Sequence, residues 1–159
     1  MKKLVFALFL FAVLVPAALA APPAQSPTAY CNANPALIGA GKLYKNQGAC
    51  VSKQQTRSEV NAENAAKTCK AELADANFAA GHDGKSFAQY YGTSANAKGK
   101  GNAFGKCVSQ KASAKTAGQQ TVEVKAAKTC RTDAMKAQTG EGKLYPTFGA
   151  CVSALSKKG

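Results

Sequence analysis

One pattern of cysteines recurs three times along the 159 residues, and no other feature constrains the fold of this chain as much. Cys31 is followed by Gly41-Lys42-Leu43-Tyr44 and then by Gly48-Ala49-Cys50-Val51-Ser52. Cys130 is followed by Gly142-Lys143-Leu144-Tyr145 and then by Gly149-Ala150-Cys151-Val152-Ser153. Between them, Cys69 leads to Gly84-Lys85-Ser86-Phe87 and, much later, to Gly105-Lys106-Cys107-Val108-Ser109. From Gly-Lys to the later glycine the spacing is 7 residues in units one and three and 21 in unit two, so unit two holds a 14-residue insertion rich in Gly, Asn, Ser and Lys. Self-similarity of this kind marks a supersecondary module used repeatedly. The units span 31–60, 61–118 and 119–159.

The residues inside each unit favour helices. Ala62, Ala65, Ala66, Cys69, Leu73, Ala76 and Ala80 recur at spacings of three and four, as do Ala126, Ala127, Cys130, Ala134 and Ala137, the period of one helix face. Phe104, Cys107, Val108, Lys111 and Ala112 form a shorter stripe downstream, matched by Phe148, Cys151, Val152 and Leu155, with Pro146 in the first turn of the last helix. The expected fold is all-α: three disulfide-stapled helix–connector–helix repeats behind a disordered N-terminal arm. The arm is residues 21–35, which hold four prolines. Asn32, Asn34 and Pro35 are poor helix-interior residues, so the first unit reads as degraded.

A start Met1-Lys2-Lys3, an apolar run from Leu4 to Val15 and the ending Ala18-Leu19-Ala20 have the three-part layout of a secretory signal over residues 1–20. The run is too short for a membrane anchor, which needs about 20 residues, and an exported protein of the extracellular space, periplasm or cell envelope is expected. Outside the cytoplasm an even set of cysteines implies a disulfide framework. The chain needs one: residues 21–159 hold only 16 Leu, Ile, Val and Phe against 28 Ala, a share of large apolar residues that by itself reads as disorder. If Cys50 to Cys69 is one helix, its 19 residues separate the two sulfurs by roughly 28 Å, far beyond the ~7 Å allowed between bridged α-carbons. Pairing within the units survives that test, and Cys31–Cys50, Cys69–Cys107 and Cys130–Cys151 are expected. For Cys107 and Cys130 the same argument holds only if Gly118 does not break the helix. Zinc is the rival use of cysteine, but no close ligand pair exists and His82 is the only imidazole, so neither a metal nor a cofactor is expected.

The run Ala65-Ala66-Lys67-Thr68-Cys69, then Tyr91-Gly92-Thr93, then Asn102-Ala103-Phe104-Gly105-Lys106-Cys107-Val108-Ser109 resembles a repeat of secreted, Ala-rich bacterial proteins with no assigned function. The likeness is best over 65–114 and partial in the other units. It implies export and a small helical module, and no reaction.

Two local motifs invite chemistry. Ala79 to Ser86 fits a loose Walker A pattern, but a phosphate loop follows a buried strand, whereas this segment continues an Ala-rich helix and its Gly84-Lys85 is the repeat's own connector. His82, Asp83 and Ser86 lie within five residues, too close in sequence to converge as a hydrolytic triad from a rigid scaffold; they read as a solvated, Gly-flanked turn. Glu72 and Asp75, one helical turn apart, read as surface carboxylates, solvated or paired with nearby Lys.

Charge carries the remaining signal. The formal net charge is +13, and +11 without Lys2 and Lys3. Residues 84–132 hold nine basic side chains against one acid: Lys85, Lys98, Lys100, Lys106, Lys111, Lys115, Lys125, Lys128 and Arg131. Tyr90, Tyr91 and Phe104 lie inside or beside this cationic stretch. Such a surface attracts a polyanion by counterion release, an anionic cell-wall polymer or lipid headgroups alike. Eight of the nine are Lys, whereas bidentate phosphate reading favours Arg, which argues against nucleic acid. The expected protein is a secreted, cationic, non-catalytic extracellular or envelope module attached to an anionic polymer. The competing classes are a small secreted hydrolase or lytic protein, which needs a cleft with converging acid and base groups, and an inhibitor or toxin-like module presenting the loop Gly92–Gly101 to a protein partner.

Overall fold

The computed structural model describes residues 23–92 and 102–158, and among them the chain is all-helical. In chain order the helices are α1 (Pro27–Ala33), α2 (Gln47–Ala74), α3 (Phe87–Tyr91), α4 (Ala103–Cys130), α5 (Asp133–Lys136) and α6 (Phe148–Ser156). At 1.5 Å per residue, α2 and α4 are each about 42 Å long. Each starts on an asparagine whose side chain accepts a first-turn amide, Asn46 from Ala49 at 2.8 Å and Asn102 from Gly105 at 2.9 Å. The two run antiparallel: Cys69 meets Cys107 at one end, Asn61 donates to Thr116 and Gln119 midway, and Gln54 and Arg57 reach Glu123 near the other. Gly118 does not interrupt α4.

The three disulfides are Cys31–Cys50, Cys69–Cys107 and Cys130–Cys151, with Cα separations of 6.0, 6.0 and 6.1 Å, and all six cysteines are buried. Each long helix carries a cysteine of two units, so the boundaries at 60/61 and 118/119 fall inside α2 and α4. The units are both strung along shared helices and packed. Units one and three share a core of Tyr30, Leu37, Tyr44, Ala126, Ala127 and Val152 around their disulfides. Phe78, Phe87, Tyr91 and Ala103 surround Cys69–Cys107 at the opposite end.

The connectors of units one and three have the same backbone. Gly39 and Gly41 have φ of 132° and 69°, Gly140 and Gly142 have 142° and 70°, and the bridges Ile38–Tyr44 and Thr139–Tyr145 close equivalent turns. Their tips differ: Tyr145 of unit three packs on the core, but only the first connector is seated on α6. Its Gly41 carbonyl accepts the Gly149 amide at 2.9 Å and its Lys42 ammonium lies 4.7 Å from the centre of the Phe148 ring. Leu43 is half-buried there, while its counterpart Leu144 is 69% exposed.

Several expectations need correction. The flexible arm assigned to 21–35 does not hold over 27–33, which is helical: Pro27 opens α1 behind the Ser26 cap, and Tyr30 and Cys31 are buried. Gln25 is pinned as well, its amide and carbonyl both bonded to the Gln120 side chain at 3.0 Å. Tertiary contacts override the weak local helix propensity. Pro146 precedes the Thr147 N-cap and so lies outside the last helix. The stripe read to Ala80 ends early, because α2 stops at Ala74 and Leu73 is 56% exposed. Likewise Ala134 and Ala137 lie past the end of α4, which stops at Cys130. The buried face of α2 includes Gln54 and Asn61, polar residues that a purely apolar stripe leaves out. Residues 1–20, expected to be a signal, lie outside the described residues; among those described, no helix is long and apolar enough to cross a membrane.

Candidate functional site

Between the two ends the α2–α4 interface is polar and buried, and on the side of Cys130 Glu123 gathers a cluster of its own. One of its carboxylate oxygens accepts from the Tyr30 hydroxyl at 2.8 Å, the Tyr44 hydroxyl at 2.9 Å and the Gln54 amide at 3.2 Å; the other is bonded to the Arg57 guanidinium. The carboxylate is therefore shared by four donors from α1, the first connector and α2, as a buried charge requires. Burial, and then the neighbouring Glu123 charge, push both phenols well above the ordinary tyrosine range. For Arg57 burial works against the charge, but the hydrogen bond to Glu123 outweighs it and the guanidinium is held more firmly protonated.

Outward from this cluster opens a groove of about 870 Å³ between α2, α4 and α6, closed at one end by the first connector. Its walls follow from helical spacing. Ala49, Lys53 and Arg57 succeed one another at four-residue steps on α2, while Lys115, Gly118, Gln119 and Val122 do so at threes and fours on α4. Leu43 and Lys45 come from the connector, Ser153, Ser156 and Lys157 from the last helix and its cap. Glu123 is the one acid among the lining residues, and Arg57 already engages it. Lys45, Lys53, Lys115 and Lys157 have no carboxylate partner among the described residues. Four unpaired ammoniums around one concave surface focus a positive potential on it.

The cationic stretch of 84–132 is not one patch. Lys115 opens on this groove. Lys125 and Lys128 lie on another face of α4, along a second groove of about 410 Å³ beside Tyr30 and Gln25. Arg131 caps α4 with its guanidinium 5.8 Å from the Phe148 ring centre. Lys111 is bound to Glu72 at 2.9 Å, a bond that raises the lysine; burial opposes the Glu72 charge, but hydrogen bonds from Lys111 and Tyr91 win and lower the carboxyl. Lys85 is exposed at the far end, in the second connector, and Lys106 is half-buried on the first turn of α4. Lys98, Lys100 and all of the loop Gly92–Gly101 except Gly92 lie outside the described residues. Tyr91 is buried, whereas Tyr90 and Phe104 are partly exposed.

The motif residues are structurally employed. His82 donates its Nδ1–H to the Phe78 carbonyl, 2.7 Å away, and stacks on the Phe78 ring at 3.8 Å, so it is less solvated than a turn residue would be. Asp83 takes φ of 52° and Ser86 caps α3 in a reciprocal box with Gln89. The segment before Gly84-Lys85 is a 3₁₀ turn, Phe78–Gly81, in place of the strand a phosphate loop requires. Asp75 accepts from the Asn77 amide at 2.9 Å beyond the end of α2.

Reading charge along the chain missed Lys45, Lys53, Arg57 and Lys157, which lie outside 84–132, and took Glu123 only as the one acid within it. The four-residue spacing of Lys53 and Arg57 was the available signal. Comparison with protein families, characterised proteins and solved structures finds no match to this chain.

Proposed function

We propose that the chain is a secreted or envelope-resident, non-catalytic module that attaches to an anionic polymer across the cationic groove between α2, α4 and α6. The observation that carries this reading is the convergence of Lys45, Lys53, Lys115 and Lys157, from four separate segments, on a surface whose only acid is neutralised by Arg57. The three disulfides are usage typical of an oxidising compartment. The leader layout of residues 1–20 and the likeness to secreted Ala-rich bacterial repeats support export. Within the 84–132 stretch, Lys115 is the residue this reading retains at the site, and Lys111 is excluded by its pairing with Glu72.

Attachment of this kind is driven by release of counterions, so its affinity falls steeply with salt, by about 0.7–0.9 logarithmic units per neutralised anion for each logarithmic unit of salt. Retention on an immobilised sulfated or phosphorylated polymer should therefore weaken with NaCl. Replacing Lys45, Lys53, Lys115 and Lys157 with Gln should reduce the slope by about three. A slope that does not change in the quadruple variant removes the reading.

A further inference from the structure

The floor of the same groove does not suit a purely ionic ligand. Leu43, Ala49 and Val122 give it apolar walls beneath the ammonium rim. Gly118 lies in the middle of the α4 face that lines it, and a Cβ built there meets no atom within 4 Å. Glycine in a helix interior is disfavoured relative to alanine, no packing neighbour demands it here, and its effect is to leave the bed of the groove open. The volume is that of a small-molecule site, and such sites combine mostly apolar lining with a few placed polar groups.

We infer that the groove binds a long-chain fatty-acid anion, with its carboxylate among Lys53, Lys115 and Lys157 and its alkyl chain over Gly118 against Val122 and Leu43. Charge complementarity selects the acid head, since the rim ammoniums are unpaired and the sole lining carboxylate is taken. Arg57, the one guanidinium in the site, is committed to Glu123 and leaves no free fork for a phosphate. The inference shares the cationic rim with the attachment reading above and otherwise stands without it.

Calorimetric titration of the oxidised protein with monomeric octanoate, decanoate and dodecanoate tests it. One site per chain is expected, with Kd tightening about fourfold for each methylene buried, and dodecanol, which lacks the charge, binding at least tenfold more weakly than dodecanoate. Gly118→Leu should weaken dodecanoate at least tenfold without lowering the thermal unfolding midpoint, because its Cβ enters open space and leucine favours the helix more than glycine does. K53Q and K115Q should each weaken dodecanoate severalfold. A Kd independent of chain length, dodecanoate binding unaffected by Gly118→Leu, or tight binding of dodecyl phosphate where dodecanoate fails would each overturn the inference. Polymer retention lost with dodecanoate binding intact would overturn the attachment reading alone.

Discussion

Gly149 and Gly48 occupy the same place in their repeat units and meet different surroundings. A Cβ on Gly149 would lie 2.3 Å from the Lys42 carbonyl oxygen, whereas one on Gly48 would meet nothing closer than the Asn46 side chain at 3.6 Å. The first contact is to backbone already bonded to α6 through Gly41, so it cannot give way cheaply. Gly149→Ala should cost about 1–3 kcal/mol, the range for overpacking. Gly48→Ala should be neutral or stabilise by up to about 1 kcal/mol through helix propensity. Urea midpoints of the two variants decide this; equal effects would mean that the unit-one connector is not seated on α6. Glu123 is the other residue on which much depends. It joins α1, the first connector and α2 to α4 through a single carboxylate, and nothing in its local sequence, Thr121-Val122-Glu123-Val124, announces that role.

The two long helices explain how so few large apolar residues suffice. Cystines and aromatics fill the two ends of the α2–α4 pair, and hydrogen-bonded polar side chains fill the middle. Removing Cys69–Cys107 in a double Ala variant should cost about 4 kcal/mol on the chain-entropy account of a 38-residue loop. The loss should be local. Amide exchange should accelerate over 78–92 and 103–110 and stay slow around Tyr30 and Val152, since the two cores are separate clusters. Uniform acceleration would show that the ends are not independent. Pairing of the cysteines was legible because helices over 50–69 and 107–130 forbid Cys50–Cys69 and Cys107–Cys130, and the repeat assigns one pair to each unit. The helical α1 was not legible: Asn32 and Asn34 argue against it locally, and Tyr30 bonding to a residue 93 positions away supplies what propensity lacks. The groove was hidden for the same reason, because Lys53 and Lys115 become neighbours only through the antiparallel register of α2 and α4.

Across the whole molecule, the excess of positive charge is the property that any partner meets first. Counting along the chain places it in residues 84–132, while packing redistributes it: Lys125 and Lys128 face a second groove, Lys111 is paired, and Lys115 is joined by lysines from both ends of the sequence. Bulk charge and a located site predict different behaviour for variants of equal net charge. The most direct test compares K53Q/K115Q/K157Q with K85Q/K125Q/K128Q on one anionic-polymer column, each variant having lost three positive charges. The groove variant should elute at markedly lower salt than the parent, and the control variant close to it. Equal losses in the two would show that the protein's attraction to polyanions is a property of its overall charge and that the groove between α2, α4 and α6 is not the site.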